Sequence, residues 1–182
     1  MSDAQIGTRR IHTGKVLNLD MDRVRFPDGS EGELEIIRHP GASAVVPFLS
    51  DPRGEDPQVL LLRQYRYAAD GYLFEIPAGR LDEGETPEAC AIRELKEETG
   101  CTAKSMQRLT TIFTTPGFID ERIHLFLAEG LTQGESNREK DEFAETVAMP
   151  LSRTLGMIEQ GEISDGKTIV ALLFAAGFRA GM

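Results

Sequence analysis

The chain has 182 residues, 40% of them hydrophobic and 27% charged, which is typical of one globular domain with a sizeable core. Its formal net charge of −10 excludes nucleic-acid binding through a general basic field. Its two cysteines, Cys90 and Cys101, form no CxxC pair and predict no disulfide framework. The first residues hold no apolar signal core, and no apolar run is long enough to span a bilayer. We therefore expect a cytoplasmic protein that binds neither nucleic acid nor membrane.

The N-terminal part of the chain predicts a β-hairpin. Residues 16–26 and 33–39 have the composition of strands, and the turn signal Pro27-Asp28-Gly29-Ser30 lies between them. Further strands are predicted at residues 42–49, 58–66, 72–76, 106–113, 122–129 and 143–149. Helices are predicted at residues 86–99, 152–160 and 167–179. This order indicates an α/β fold with a mixed sheet, one helix in the middle of the chain and a helical C-terminal end.

The helix in the middle of the chain has clear start and stop signals. Thr86 is a favourable N-cap, and Pro87 suits the first helical position because its missing N–H is not needed there. Gly100 supplies the left-handed residue that ends a helix. Four residues recur at helical spacing and are predicted to form the buried stripe. They are Ala91, Ile92, Leu95 and Thr99.

Three glutamates are predicted to project from one side of this helix. Glu97 and Glu98 follow Glu94 by three and four residues, so the three carboxylates lie close together. Like charges at this spacing repel, and Arg93, one turn before Glu97, offsets only part of the charge. The remainder favours a hard divalent cation with oxygen ligands. A solvated acidic face is the alternative for an arbitrary helix rich in Glu and Lys.

The loop and the helix together resemble the Nudix box. The pattern is Gly79, five residues, Glu85, seven residues, Arg93-Glu94-Leu95, one residue, Glu97-Glu98, one residue and Gly100. Cys101 stands where an aliphatic residue is usual. The resemblance implies the Nudix fold, an α/β/α sandwich around a mixed sheet, and a metal-dependent pyrophosphohydrolase.

Features outside the box resemble the branch of ADP-ribose pyrophosphatases and nucleoside diphosphate sugar hydrolases. Arg63-Gln64-Tyr65-Arg66 follows a predicted central strand, and Pro116 lies fifteen residues after Cys101, ahead of Glu121. The resemblance implies that residues 1–40 form an N-terminal β-sheet segment used for dimer and substrate contacts. Residues 41–182 would then form the Nudix domain, and the protein would be a homodimer.

The same resemblance implies the metal site and the catalytic groups. Glu94, Glu97, Glu98 and the backbone carbonyl of Ala78 are the expected ligands of Mg²⁺, with Mn²⁺ as the alternative ion. Glu97 and Arg93 are also assigned to catalysis, Arg93 by orienting the glutamates. Glu85 supports either the box glycines or the ions, or it pairs with Arg80 or Arg93 in a salt bridge of the loop.

Residues outside the box are assigned to the base and to the substrate. Glu142 is the expected general base, with Asp141 and Glu139 as alternatives. Substrate contacts are expected from Arg66, Glu75, Glu35 and Arg38, the last two across the dimer. Arg63 is expected in a salt bridge at the end of its strand.

The resemblance implies hydrolysis of ADP-ribose or a related nucleoside diphosphate sugar. The products would be a nucleoside monophosphate and a sugar phosphate. Val16 and Leu34 stand where this branch often has aromatic residues that stack on adenine, which leaves GDP-mannose and dinucleoside polyphosphates open as substrates. A non-catalytic nucleotide-sugar sensor is a further alternative, against which the intact glutamates argue.

Overall fold

The structure, a computed structural model, describes residues 4–134 and 144–179. Contacts divide the chain into two compact units. The first consists of Met1–Gly41 and Phe113–Arg122, and the second of Ala42–Ile112 and Ile123–Met182. The first unit therefore includes a segment that is far from its other residues in the sequence.

The first unit contains an antiparallel sheet of three strands. They follow one another in space as β1 (Gln5–Thr13), β2 (Asn18–Arg25) and β3 (Glu31–Arg38). The β2–β3 pair is the predicted hairpin, and Arg25 lies opposite Glu31 next to its turn. The sequence prediction missed β1, because most of its side chains are exposed and so lack a hydrophobic alternation.

The other strands belong to the second unit, apart from their end residues Phe113 and Arg122. They are β4 (Ala42–Pro47), β5 (Gln58–Arg66), β6 (Gly71–Glu75), β7 (Ala78–Arg80), β8 (Cys101–Thr102), β9 (Ser105–Phe113), β10 (Arg122–Glu129), β11 (Thr132–Gln133) and β12 (Ala144–Pro150). One sheet has the order β7–β4–β10–β9 and another β12–β5–β6, while β11 pairs with β8. Because β4 is parallel to β10 and antiparallel to β7, the predicted mixed sheet is present.

Three α-helices are found in the described residues. They are α1 (Pro87–Thr99), α2 (Leu151–Glu159) and α3 (Gly166–Arg179). Each lies within one residue of its predicted bounds, because capping residues and apolar periodicity are local signals. Of the helices the structure describes, none combines the length and the hydropathy needed to cross a membrane.

Alternating strand residues build a hydrophobic core on each side of the sheet. On β4, Ala44 and Val46 pack into the cluster that includes Leu172 of α3, whereas Val45 packs with Ala91 and other residues of α1. Strands β5 and β10 divide their side chains between the same two clusters. Successive strand residues point to opposite faces, so helices cover both sides of these strands. This is the layered α/β/α arrangement that positions α1.

The buried stripe of α1 differs from the prediction at one position. Its buried residues are Cys90, Ala91, Glu94, Leu95, Glu98 and Thr99. Ile92 was predicted to belong to this stripe and is instead 48% exposed. The buried residues form two series with a spacing of four, one starting at Cys90 and one at Ala91. Ile92 belongs to neither series and therefore lies outside the face that packs on the sheet.

Candidate active site

The helix that carries the glutamates begins and ends as the sequence predicts. Thr86 Oγ1 accepts a hydrogen bond from the N–H of Ala89 at 3.2 Å, and Pro87 is the first helical residue. At the other end Gly100 has a φ of 76°, and its N–H donates to the carbonyl oxygen of Lys96 at 2.8 Å. The three glutamates therefore lie in the last two turns of a helix with both ends defined.

Two buried glutamates of α1 lie against the backbone of β7. Glu98 Oε2 accepts a hydrogen bond from the N–H of Ala78 at 2.9 Å. The Glu94 carboxyl group lies so close to Gly79 that a Cβ atom at position 79 would overlap it. The structure thus places Glu94 and Glu98 against the strand that carries Ala78, the third of the four predicted metal ligands. The fourth, Glu97, has a carboxylate that is 41% exposed.

Five oxygen contacts surround the guanidinium of Arg93. Nε and Nη2 donate to the two carboxylate oxygens of Glu85 at 2.9 and 3.0 Å, and Nη2 also donates to the carbonyl oxygen of Arg80 at 3.0 Å. Nη1 donates to Glu94 at 2.5 Å and to Glu97 at 3.0 Å. A guanidinium has five N–H groups in a rigid plane, so Arg93 fixes three carboxylates and the β7 backbone relative to one another. Of the alternatives for Glu85, the structure shows the pairing with Arg93.

Arg93 also shifts the titration of its neighbours. Its hydrogen bonds lower the pKa of Glu85 to about 2, so this carboxylate stays ionised. The same contacts, led by the one from Glu85, raise the pKa of Arg93 against the effect of burial. Burial raises the pKa of the Cys90 thiol to about 11, with a smaller contribution from the charge of Glu85. The side of α1 near β7 therefore holds fixed charges and a protonated thiol.

The donor atoms at this site suit a hard divalent cation. Glu94, Glu97 and Glu98 supply carboxylate oxygens, and Ala78 adds a backbone carbonyl, which are ligands that Mg²⁺ accepts. Across residues 4–134 and 144–179, no group of three or more His, Cys, Asp and Glu side chains is spaced to hold a metal ion. The Arg93 guanidinium bridges Glu94 and Glu97 in this arrangement. The chemistry of the donors fits a cation, while the guanidinium sets their present spacing.

A second charged group lies at the ends of β5 and β6. Arg66 makes two parallel hydrogen bonds to Glu75, from Nε at 2.7 Å and from Nη2 at 3.0 Å. Lys167 Nζ, on α3, donates to the same carboxylate at 2.5 Å. The Glu75 side chain is only 3% exposed, whereas that of Arg66 is 43% exposed. The two predicted substrate residues of this region therefore contact each other.

Arg63 lies on the other face of β5 from Arg66. The two are three residues apart, and successive strand residues alternate between faces. Arg63 donates to Glu145 of β12 at 3.2 Å, and its guanidinium lies 4.2 Å from the ring centre of Tyr72. These contacts agree with the salt bridge expected for Arg63.

Comparison with known proteins identifies the family. The chain matches the model of the NUDIX domain over residues 39–172. It is 39% identical over 176 residues to the ADP-ribose pyrophosphatase of Bacillus subtilis (strain 168), which covers 96% of this chain and 92% of that protein. The chain belongs to the Nudix family. The predicted Nudix pyrophosphohydrolase of the ADP-ribose pyrophosphatase branch is confirmed.

Two further matches extend along nearly the whole Nudix chain. The methanol dehydrogenase activator of Bacillus methanolicus is 38% identical over 171 residues, which are 93% of this chain and 90% of that protein. A crystal structure of an ADP compounds hydrolase has a TM-score of 0.80 at 21% identity and covers 97% of this chain and 94% of that chain. At this identity the match shows the fold, and the predicted Nudix fold is confirmed.

The predicted substrate residues of β3 belong to the first unit of this Nudix protein. Arg38 is held by three carboxylates, with Asp20 at 3.1 Å, Asp120 at 3.2 Å and Asp22 as the partner of Nη2. Glu35 is exposed and lies opposite Met21 on β2. Being three residues apart, Glu35 and Arg38 lie on opposite faces of β3, so the structure does not bring them to one face.

The predicted general base cannot be placed in this Nudix structure. Glu142 and its alternatives Asp141 and Glu139 lie outside the described residues. Sequence reasoning also missed Lys167, which was included only as the start of a packed helix. No local pattern in the sequence marks Lys167, because its partner Glu75 lies 92 positions away in the chain.

Proposed function

We propose that this protein is a Mg²⁺-dependent hydrolase of ADP-ribose or a related nucleoside diphosphate sugar. The products are a nucleoside monophosphate and a sugar phosphate. The observation that carries the proposal is the convergence of Glu94 and Glu98 on the β7 backbone, with Arg93 bound to Glu94 and Glu97. The pyrophosphatase name of the Bacillus subtilis relative supports the choice of substrate.

In this proposal the glutamates of α1 hold the metal. Glu94 and Glu98 are the principal ligands, Glu97 contributes to a second position, and the carbonyl of Ala78 completes the set. A bound divalent ion neutralises phosphate oxygens and lowers the pKa of bound water, with Mn²⁺ as an alternative to Mg²⁺. Arg93 keeps the carboxylates in position because its five N–H groups connect α1 to the loop and to β7.

Two other groups complete the proposed reaction. Arg66 binds a phosphate oxygen through the N–H groups that do not donate to Glu75. A planar guanidinium is suited to this, because it can make paired hydrogen bonds to phosphate. Glu142 accepts the proton of the attacking water, with Asp141 and Glu139 as the alternative bases. The water oxygen bonds to one phosphorus atom while the anhydride P–O bond to that atom breaks. The second phosphate leaves together with the nucleoside or sugar that it carries.

The proposed assembly is a cytoplasmic homodimer. The three-stranded sheet β1–β2–β3 would take part in the dimer, and Glu35 and Arg38 would contact substrate bound by the other copy. Positions 16 and 34 hold Val16 and Leu34 in place of aromatic residues that could stack on adenine. This supports weak binding of the nucleobase of the substrate.

A substrate panel tests the proposal. The protein is incubated with Mg²⁺ and ADP-ribose, GDP-mannose, UDP-glucose or diadenosine polyphosphates, and monophosphate release is followed by chromatography. Turnover of ADP-ribose supports the proposal. Faster turnover of GDP-mannose or of a dinucleoside polyphosphate would identify that compound as the preferred substrate. No turnover of any compound favours the sensor. EDTA should abolish the release, and added Mg²⁺ should restore it.

A pair of variants on one helix tests the metal ligands. Glu98→Gln should lower kcat at least about tenfold, because an amide oxygen binds a hard cation more weakly than a carboxylate. Glu88→Gln makes the same change at an exposed position in the first turn of α1 and should keep the rate. Equal rates for the two variants would remove Glu98 from the ligand set.

A further inference from the structure

The carboxylate of Glu75 is shared by two cations from different parts of the chain. One of its oxygens accepts from Arg66 Nε, and the other accepts from Arg66 Nη2 at 3.0 Å and from Lys167 Nζ at 2.5 Å. Lys167 Nζ also lies 3.1 Å from Asp165. The four side chains therefore carry two positive and two negative charges, and we refer to them as the Glu75 cluster.

The burial of this cluster makes its balance of charge important. The side chains of Glu75 and Lys167 are 3% and 14% exposed. A buried charge is costly unless it is paired and hydrogen-bonded. Burial raises the pKa of Glu75, but the hydrogen bond from Arg66 and the charge of Lys167 lower it overall, so the carboxylate stays ionised. Without Lys167, Arg66 would be the only cation in contact with this carboxylate among the residues that the structure describes.

Hydrogen bonds of the first turn of α3 fix the position of the Lys167 backbone relative to Glu75. Asp165 Oδ2 accepts from the N–H of Thr168 at 3.0 Å, which caps the helix, and also from the Thr168 hydroxyl. Thr168 Oγ1 in turn accepts from the N–H of Ile76 at 2.9 Å, next to Glu75. The helix is thus joined to the end of β6 by a backbone contact that is separate from the Lys167 contact.

Arg66 has free donors as well as a fixed position. Its two bonds to Glu75 use Nε and one N–H of Nη2, and no other hydrogen bond from its guanidinium is seen within residues 4–134 and 144–179. Within that part of the chain, three N–H groups of the five therefore remain for a ligand. Since its side chain is 43% exposed, these groups are accessible to a phosphate.

We propose that Lys167 is a positioning residue for phosphate binding by Arg66. By sharing the charge of Glu75, it keeps the carboxylate in the orientation that supports Arg66, and it leaves part of the Arg66 charge for the substrate. The inference rests on the proposed function, in which Arg66 contacts a substrate phosphate. A purely structural Lys167 would only attach α3 to β6, which Thr168 already does.

The test combines two substitutions in a cycle. Lys167→Met removes the charge, Lys167→Arg keeps it, and Arg66→Gln removes the phosphate contact. Lys104→Met is the matched control, because Lys104 is exposed and makes no contact with the cluster. For each protein, kcat and KM are measured with the best substrate of the panel. The Kd of the non-hydrolysable α,β-methylene analogue of ADP-ribose and the melting temperature are measured as well.

We expect Lys167→Met to raise KM and the analogue Kd about tenfold while kcat changes less than about threefold. Lys167→Arg should return KM to within about threefold of the parent, and Lys104→Met should leave all values unchanged. In the Arg66→Gln background, Lys167→Met should have no further effect on KM or Kd, because coupled residues are not additive. If Lys167→Met does not fold, Lys167→Gln, which also removes the charge, takes its place in the cycle.

Three outcomes overturn the inference. The first is a lower melting temperature of Lys167→Met with unchanged KM and Kd, which is the result of a structural role. The second is a further rise in KM or Kd when the Lys167 change is added to Arg66→Gln. The third is a parent protein that neither hydrolyses nor binds any compound, which overturns the proposed function as well. A parent that binds the analogue without turnover overturns only the proposed hydrolysis, and the Kd values still decide the role of Lys167.

Discussion

Glu94 and Gly79 are in such close contact that position 79 has no room for a side chain. A Cβ atom built on Gly79 would overlap both the carboxyl carbon and the oxygens of Glu94. The φ of Gly79 is not positive, so the glycine is needed for this approach and not for its backbone conformation. The contact holds a buried carboxylate against β7, where the proposed metal site is located.

Replacement of Gly79 by alanine should therefore disable the site. In Gly79→Ala, the Glu94 side chain or β7 has to move, and we expect kcat to fall at least about tenfold with a loss of stability of about 1–3 kcal/mol. Gly156→Ala is the control, because a Cβ atom in the middle of α2 meets nothing within 4 Å. Rate assays and urea unfolding would measure both effects. A Gly79→Ala protein with the parent kcat would show that Glu94 can move without consequence.

The geometry of Arg93 leads to a prediction about a conservative substitution. A lysine at position 93 keeps the charge but has three N–H donors in place of five, so it cannot hold Glu85, Glu94 and Glu97 together with the Arg80 carbonyl. We expect Arg93→Lys to lower kcat about tenfold or more and to lower the melting temperature. Arg108→Lys, at an exposed position of β9, should change neither. An active Arg93→Lys protein would mean that charge alone is sufficient.

Local signals in the sequence predicted α1 well, but its rotation depended on tertiary structure. Thr86, Pro87 and Gly100 fix the ends of the helix, and these residues act within a few positions of themselves. The spacing of apolar residues included Ile92 in the buried stripe, since periodicity cannot show that two glutamates lie on the sheet side. Glu94 and Glu98 are buried there because β7 gives them room and a backbone donor.

Contacts between distant residues were beyond sequence reasoning. Arg66 and Glu75 were both predicted to bind substrate, but their mutual pairing depends on the register of β5 and β6. Lys167 reaches Glu75 across 92 positions of the chain, and one sequence contains no signal for that contact. Strand β1 was missed for a different reason, since its side chains are mostly exposed and show no hydrophobic pattern.

The environment of Cys90 predicts an unreactive thiol. The residue is fully buried, and its pKa is raised to about 11, so little thiolate forms near neutral pH. In a Cys101→Ala protein, Cys90 should react with a thiol reagent at pH 8 at least about 100-fold more slowly than in the unfolded chain. Absorbance assays with and without guanidinium would give the two rates. Rapid labelling of the folded protein would mean that α1 separates from β7 often enough to expose the thiol.

The low pKa of Glu85 predicts how the stability of the protein depends on pH. A carboxylate with a pKa of about 2 in the folded state and about 4.5 when unfolded stabilises the fold above the unfolded value, and this contribution is lost as pH falls through the folded value. Glu85→Gln should therefore be less stable than the parent at pH 7, and by pH 3 the difference should shrink by more than about half. Glu83→Gln, on the exposed loop nearby, is the matched control. Urea unfolding of the three proteins at both pH values measures the difference, and a constant gap between Glu85→Gln and the parent would show that the Arg93 pair does not set the pKa of Glu85.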